Sequence, residues 1–281
     1  MTIIDFRLRP PYGGFLDANF SRVKIIERFT NQLGFEQAPS VKQLSMDLLL
    51  DEMTEAGITK GVVVGRNTAT IGAVPNTAVA EIVKKFPDRF VAIGSVDPVT
   101  RKDAMRQIEE ARGLGMTMIN MEPGLSASPL YFDDRRLYPI YAYCEDKGMP
   151  VMLMGGGNTG PDISYSSPEH IDRVLNDFPS LTVISSHANW PWAKEIVHVA
   201  FRRENLYISP DMYLHHLPGM EDYLKAANSF LSERFLFGTA YPLTPVVEYT
   251  KWFLSLPIKS SAMENILHKN AERLLAVKPA A

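Results

Sequence analysis

The sequence predicts a single α/β domain, residues 1–281, folded as a (β/α)8 TIM barrel. Short apolar or β-branched runs alternate with amphipathic stretches, and eight such units can be counted. No linker interrupts them, and the length of 281 residues suits one barrel, which typically takes about 250.

The elements follow in order. Residues 2–8 read as the first strand. Residues 10–40 form a long insertion after it, containing PPYGG and then FSRVKIIERF. That second motif predicts a short helix, placed over the barrel mouth or at a subunit contact. Residues 41–56 have helical spacing and stop at Gly57. The run GVVVG, 61–65, suits a strand buried on both faces. The pattern then repeats, with helices over 77–86, 101–114, 137–147, 168–178, 191–204 and 219–231. Strands fall between them at 90–96, 116–121, 150–154, 181–186, 206–209 and 235–238. Helices over 245–253 and 262–275 end the chain, and the final KPAA is expected to fray. Five or six units would suggest an open doubly wound sheet. GGGNTG, 155–160, opens no immediate helix, so a dinucleotide fold is the second choice.

Composition narrows the partners. A net charge of −3 with 22% charged residues suggests neither nucleic acid nor an anionic membrane surface. The one cysteine, Cys144, makes no internal disulfide and reads as a buried helix residue rather than a nucleophile. The start MTIIDF lacks a secretory pattern, and no apolar run nears the ~18 residues of a membrane span. A cytoplasmic protein is expected, with a homodimer plausible through the insertion.

In this fold chemistry is carried by strand ends and the loops after them. Asp5, Arg7 and Arg9 share one face of the first strand by its period of two. Later strand ends supply Arg66 and Asn67, then Asp97, then Asn120 and Glu122, then Met154 and Asn158. The last three supply His187 and Asn189, then Asp211 and Tyr213 with His215 and His216 beyond, then Thr239 and Tyr241. Such a set offers acids, bases and anion-binding groups.

Four landmarks resemble the amidohydrolase superfamily (amidohydrolase family 2), in the branch of aminocarboxymuconate semialdehyde decarboxylase and related lactone hydrolases. Asp5-Phe6-Arg7-Leu8-Arg9 stands where the branch has D-x-H-x-H. Pro150-Val151-Met152-Leu153-Met154-Gly155-Gly156 stands for P-V-x-x-H-x-G. Phe178-Pro179 followed by His187-Ala188-Asn189-Trp190-Pro191-Trp192 stands for F-P and H-x-G-x-P-W. Phe237-Gly238-Thr239-Ala240-Tyr241-Pro242 stands for F-G-[ST]-D-x-P. The resemblance implies a metal-dependent-hydrolase-like barrel in which four His and an Asp hold one or two divalent cations. Here Arg7, Arg9, Met154 and Ala240 replace four of those five, and only His187 is kept. Arginine offers donors only and cannot ligate, so no metal and no other cofactor is expected.

The resemblance, with those replacements, implies a metal-independent hydrolase of a small carboxylated lactone or ring compound. His187, Asp211 and Glu122 are the catalytic candidates, with Arg7, Arg9, Arg66, Asn158, Asn189, Tyr213 and Tyr241 binding the small anionic substrate. Each has a plainer reading: Arg7 and Arg9 pairing with Glu122, Asp97 or Asp211, His187 as a core imidazole, Asp211 as a cap, Glu122 as a salt-bridge partner, the tyrosines as rim packing. Of His215 and His216 at most one would face the pocket. Trp190 and Trp192 read as rim packing, and His170, His198 and His268 as surface or packing residues. Alternatives are a decarboxylase or lyase of the same family, or an inactive barrel that binds a small anion.

Overall fold

The computed structural model describes residues 2–278; Pro279 to Ala281 of the terminal KPAA lie outside them. The strands are β1 (Ile3–Leu8), β2 (Ile58–Val64), β3 (Arg66–Thr68), β4 (Gly72–Val74), β5 (Phe90–Ser95), β6 (Ile119–Met121), β7 (Val151–Met154), β8 (Val183–Ser186) and β9 (Leu206–Ser209). Seven make one parallel sheet in the order β1-β2-β5-β6-β7-β8-β9, while β3 and β4 form a separate antiparallel hairpin. Between the sheet strands run helices such as Asn76–Lys85, Arg101–Gly113, Tyr138–Lys147, Pro168–Asp177 and Ala193–Arg202.

The predicted eighth strand closes this curled sheet without becoming regular. The Leu236 N–H donates to Ile208 O at 2.9 Å on one side, and Phe6 N–H to Phe237 O at 2.9 Å on the other. Among the described residues it makes one bridge, Ile208 with Phe235, and the segment after it makes another, Leu8 with Tyr241. Other ladder positions are taken. Phe235 O accepts Asn270 Nδ2 at 2.7 Å, the Phe237 N–H goes to Ile266 O at 3.2 Å, and the Thr239 N–H goes to the Asp5 carboxylate at 3.0 Å. These groups are satisfied, but not by a neighbouring strand.

Helix 41–56 also differs from its predicted form. The chain makes one turn at Pro39–Lys42, breaks at Leu44 with φ +50°, and restarts as Met46–Glu55. Ser45 caps that restart, its hydroxyl accepting the Leu48 N–H at 3.3 Å. The closing helix 262–275 is Ser260–Glu264 and Asn270–Leu275 joined by a wider turn at Asn265–Lys269.

β1 sets the mouth. Asp5 pairs with Gly61 but Leu8 pairs with Val63, so three residues of β1 oppose two of β2. This bulge slips the alternation by one. Below it Ile4 and Phe6 pack with Val62, Val64, Ile93, Met152 and Ile184 in the barrel interior, whose far end Ala271 and Leu274 cover. Above it Arg7 and Arg9 face the cavity, and Leu8 joins the layer between strands and helices. The expected shared face of Asp5, Arg7 and Arg9 is therefore corrected. Asp5 lies across the bulge, its carboxylate spent on Arg7 N–H and on Thr239 N–H and Oγ1–H.

The 10–40 insertion folds as helices Gly14–Ala18, Val23–Gln32 and the turn at Pro39. Ile25, Ile26, Arg28 and Phe29 of the second helix line the cavity at the mouth. Cys144 is buried in Tyr138–Lys147, and burial pushes its thiol up to about 12. No helix among the described residues is long and apolar enough to cross a membrane.

Candidate active site

A cavity of about 270 Å³ opens at the C-terminal ends of the strands. Arg7, Arg9, Arg66, Met154, Asn158, His187, Tyr213 and Tyr241 all line it, as does Ala240. Five arginines reach it in all, Arg22 and Arg28 being the others, and among the described residues no carboxylate does.

His187 begins a tight turn after β8. His187, Ala188 and Asn189 have φ of +67°, +42° and +55°, and Asp211 opposite has +44°. Non-glycine residues in this region store strain and persist only where neighbours over-determine them. Here Asn189 N–H donates to Gly155 O at 2.7 Å, and Tyr223 donates to Ala188 O at 2.8 Å. Asp211 supplies the rest. Its Oδ2 accepts the His187 backbone N–H at 3.3 Å, and its Oδ1 lies 2.7 Å from His187 Nδ1. A carboxylate there holds the proton on Nδ1 and leaves Nε2 as an acceptor. Burial, then the charge of Arg7, pull the imidazole below its ordinary value against the pull of Asp211. That direction favours the neutral ring.

The glycine run after β7 allows this turn to come close. A Cβ on Gly157, whose φ is +61°, would sit 1.7 Å from the Tyr213 hydroxyl. The predicted loop 155–160 therefore serves close packing of backbone against His187 and Tyr213. Tyr213 meets His187 edge to face at 5.0 Å and stacks on Trp190 at 5.0 Å.

The arginines divide between two buried acids. Arg66 grips Glu122 with Nε and Nη2, each at 3.2 Å, and Arg9 Nη2 donates to the same carboxylate at 2.9 Å. Arg9 Nε donates to Val64 O at 3.1 Å, and Asn120 steadies Glu122 at 3.3 Å. Burial alone would raise Glu122, but Arg66 and Arg9 bring it down to about 2. Arg7 Nη1 lies 3.8 Å from Asp211 Oδ2, and its Nη2 is 3.1 Å from Met154 Sδ. Burial and then Arg66 hold Arg9 well below the ordinary arginine value, against the pull of Glu122.

Other expected residues lie elsewhere. Asn189 is a correction: its amide is wholly internal, accepting from Ser185 at 2.5 Å and donating to Ser166 O at 2.8 Å. Tyr241 turns its ring edge to the cavity, but its hydroxyl is 2.9 Å from Ser40 Oγ, so it has no free hydroxyl for substrate. Among the described residues Asp97 pairs with no arginine, and it accepts the Val99 N–H at 3.1 Å. Asn67 donates to Gln107 at 3.2 Å. Neither His215 nor His216 reaches the cavity; His215 bonds Leu33 O at 2.9 Å and packs on Phe35. Sequence reasoning missed Arg22, Arg28, Ile71 and Leu125. The first two lie in FSRVKIIERF, where a spacing of six gives no helical face, and Ile71 tips a hairpin too short to show periodicity.

The donor set does not fit a divalent cation of the kind the fold family holds. Arg7 is wedged between Met154 and Asp211, and no group of three or more His, Cys, Asp or Glu among the described residues is placed to hold a metal. Two guanidinium groups would repel a dication, and about three protein ligands are needed.

Comparison with solved structures returns the same barrel. An uncharacterized TIM-barrel protein, Bb4693 from Bordetella bronchiseptica, is 61% identical, with 98% of this chain and 99% of that one covered at a TM-score of 0.97. A 2,6-dihydroxybenzoate decarboxylase from Rhizobium shares 18% identity over 98% of both chains, TM-score 0.69. The 4-oxalomesaconate hydratase of Rhodopseudomonas palustris shares 17% over 97% and 95%, TM-score 0.67. At that identity the likeness is one of fold. No curated protein matches the chain. The amidohydrolase family model matches residues 19–277. With that span matched, and the mouth built from the four landmark segments, the chain belongs to the amidohydrolase family.

Proposed function

We propose that the protein is a metal-independent hydrolase of a small carboxylated lactone. One observation carries this reading: the Nδ1 of His187 is held by Asp211 at 2.7 Å, while the same imidazole lines a cavity walled by arginine. His187 Nε2 takes a proton from water, whose oxygen attacks the lactone carbonyl carbon. Arg7, beside His187, stabilises the oxyanion that forms. Collapse breaks the ring C–O bond, and the proton passes from Nε2 to the leaving oxygen. Arg9 and Arg66 hold the substrate carboxylate through the Nη1 groups that Glu122 leaves free. Glu122, at about 2 and gripped by both, is a positioning residue rather than a base.

Turnover of a panel of carboxylated lactones, followed by mass spectrometry, tests this. The product should be heavier by one water, and His187→Ala should lose at least a hundredfold in kcat/KM. A second reading, loss of CO2 from an aryl carboxylate, is favoured by structural neighbours named as decarboxylases. It predicts a product lighter by CO2. Binding of anions with neither product would overturn both and leave a carrier barrel.

A further inference from the structure

The lid holds two arginines that the proposed chemistry leaves unused. Arg22 precedes the helix Val23–Gln32 and Arg28 lies within it, and both line the cavity from above. Neither has an ion pair among the described residues. Arg22 Nη2 donates to Thr70 O at 2.6 Å, and Arg28 lies 5.2 Å over the Phe29 ring. Beneath them Glu122 is occupied by Arg9 and Arg66, and Asp211 by Arg7 and His187. Five guanidinium groups thus share one cavity with three buried carboxylates behind it, Glu122, Asp211 and, on the Arg7 backbone N–H, Asp5. Arg7, Arg9 and Arg66 are buried, and there like charges repel more than they would in water. Asn19 on the same rim has a buried Oδ1 with no partner. Beside these arginines the lining is apolar, with Ile26 and Phe29 of the same helix and Leu125, whose carbonyl accepts the Thr70 hydroxyl. Excess positive charge and an apolar lining describe a ligand of matching pattern.

We infer that the substrate is at least a dianion, with one acid group on the floor arginines, a flat apolar body, and a second acid group at the rim between Arg22 and Arg28. This rests on the proposed reading only for which end reacts.

Titration calorimetry on the whole protein, at fixed ionic strength, tests the inference with probes that cannot be hydrolysed: benzoate, benzene-1,3-dicarboxylate and benzene-1,4-dicarboxylate. One of the dicarboxylates should bind at least tenfold tighter than benzoate. The Arg22→Met/Arg28→Met double variant should lose that advantage, while its benzoate affinity moves less than twofold. Both side chains are exposed or half-buried, so an unchanged melting temperature confirms the variant's fold. Equal binding of mono- and dicarboxylates by the native protein, or a double variant that keeps the preference, overturns the inference. Because the probes do not react, a preference for dianions together with no lactone turnover would sink the hydrolase and spare the dianion site; the reverse result would do the opposite.

Discussion

Asp211 touches His187 twice: Oδ1 meets the ring Nδ1 at 2.7 Å and Oδ2 accepts the backbone N–H at 3.3 Å. One carboxylate thereby sets both the tautomer of the imidazole and the turn that carries it. Asp211→Asn should lower kcat by roughly 10²–10⁴-fold with a smaller change in KM, because an amide can hold the ring but does not fix its proton. Steady-state kinetics on the lactone identified in the panel measures this. A variant of native rate would remove the dyad from the mechanism.

The same imidazole sets the pH profile. Burial holds His187 below the ordinary 6.5, so the neutral base persists into mild acid. The kcat/KM profile of the free enzyme should fall on its acid side with an apparent value below 6.5, and that limb should vanish in His187→Ala. A limb above 6.5 would contradict the depressed imidazole.

Glu122 neutralises two buried arginines at once. Glu122→Gln leaves both unpaired and should cost about 3–5 kcal/mol, the usual effect of removing one partner from a buried pair. Urea denaturation reads it. Millimolar benzene dicarboxylate should restore part of the loss, since a ligand that binds only the folded state stabilises it. A loss below about 1 kcal/mol would mean that water reaches the pair.

Gly157→Ala places a methyl group 1.7 Å from the Tyr213 hydroxyl at a φ of +61°. Backbone and ring must both move, so the melting temperature should drop by several degrees and activity should fall with it. Gly113→Ala, which meets nothing within 4 Å, serves as the control.

Asp5 should shape stability against pH. Burial raises its carboxyl to about 6 from 3.8, against the hydrogen bonds from Thr239. A raised folded value means that the contribution is full below about 4 and is lost as pH climbs through about 6, on the order of 3 kcal/mol in all. The stability difference between the native protein and Asp5→Asn should shrink across that window. A flat difference would show that Asp5 does not titrate there.

Much of the barrel was legible because each strand is a short apolar run and each helix ends at a recognisable stop. Gly57, Gly115 and Gly148 all have positive φ at helix ends, as their positions suggest. The eighth strand read correctly as position but not as ladder, since Asn270, Asp5 and Ile266 O take its hydrogen bonds from far along the chain. The face of β1 was half legible. Period two places Arg7 with Arg9, but a bulge leaves no mark in composition, so Asp5 was grouped with them. Asn189 looked available because it follows His187; nothing local reveals that Ser185 and Ser166 use up its amide.

The insertion follows β1 directly, so two floor arginines, Arg7 and Arg9, and both roof arginines, Arg22 and Arg28, come from one uninterrupted stretch, with Arg66 added from β3. The proposed catalytic pair is carried far downstream, on the loops after β8 and β9. Exchanging that stretch between related barrels should re-tune what enters, but it also replaces Arg7, so the proposed dyad keeps its place while losing its oxyanion partner.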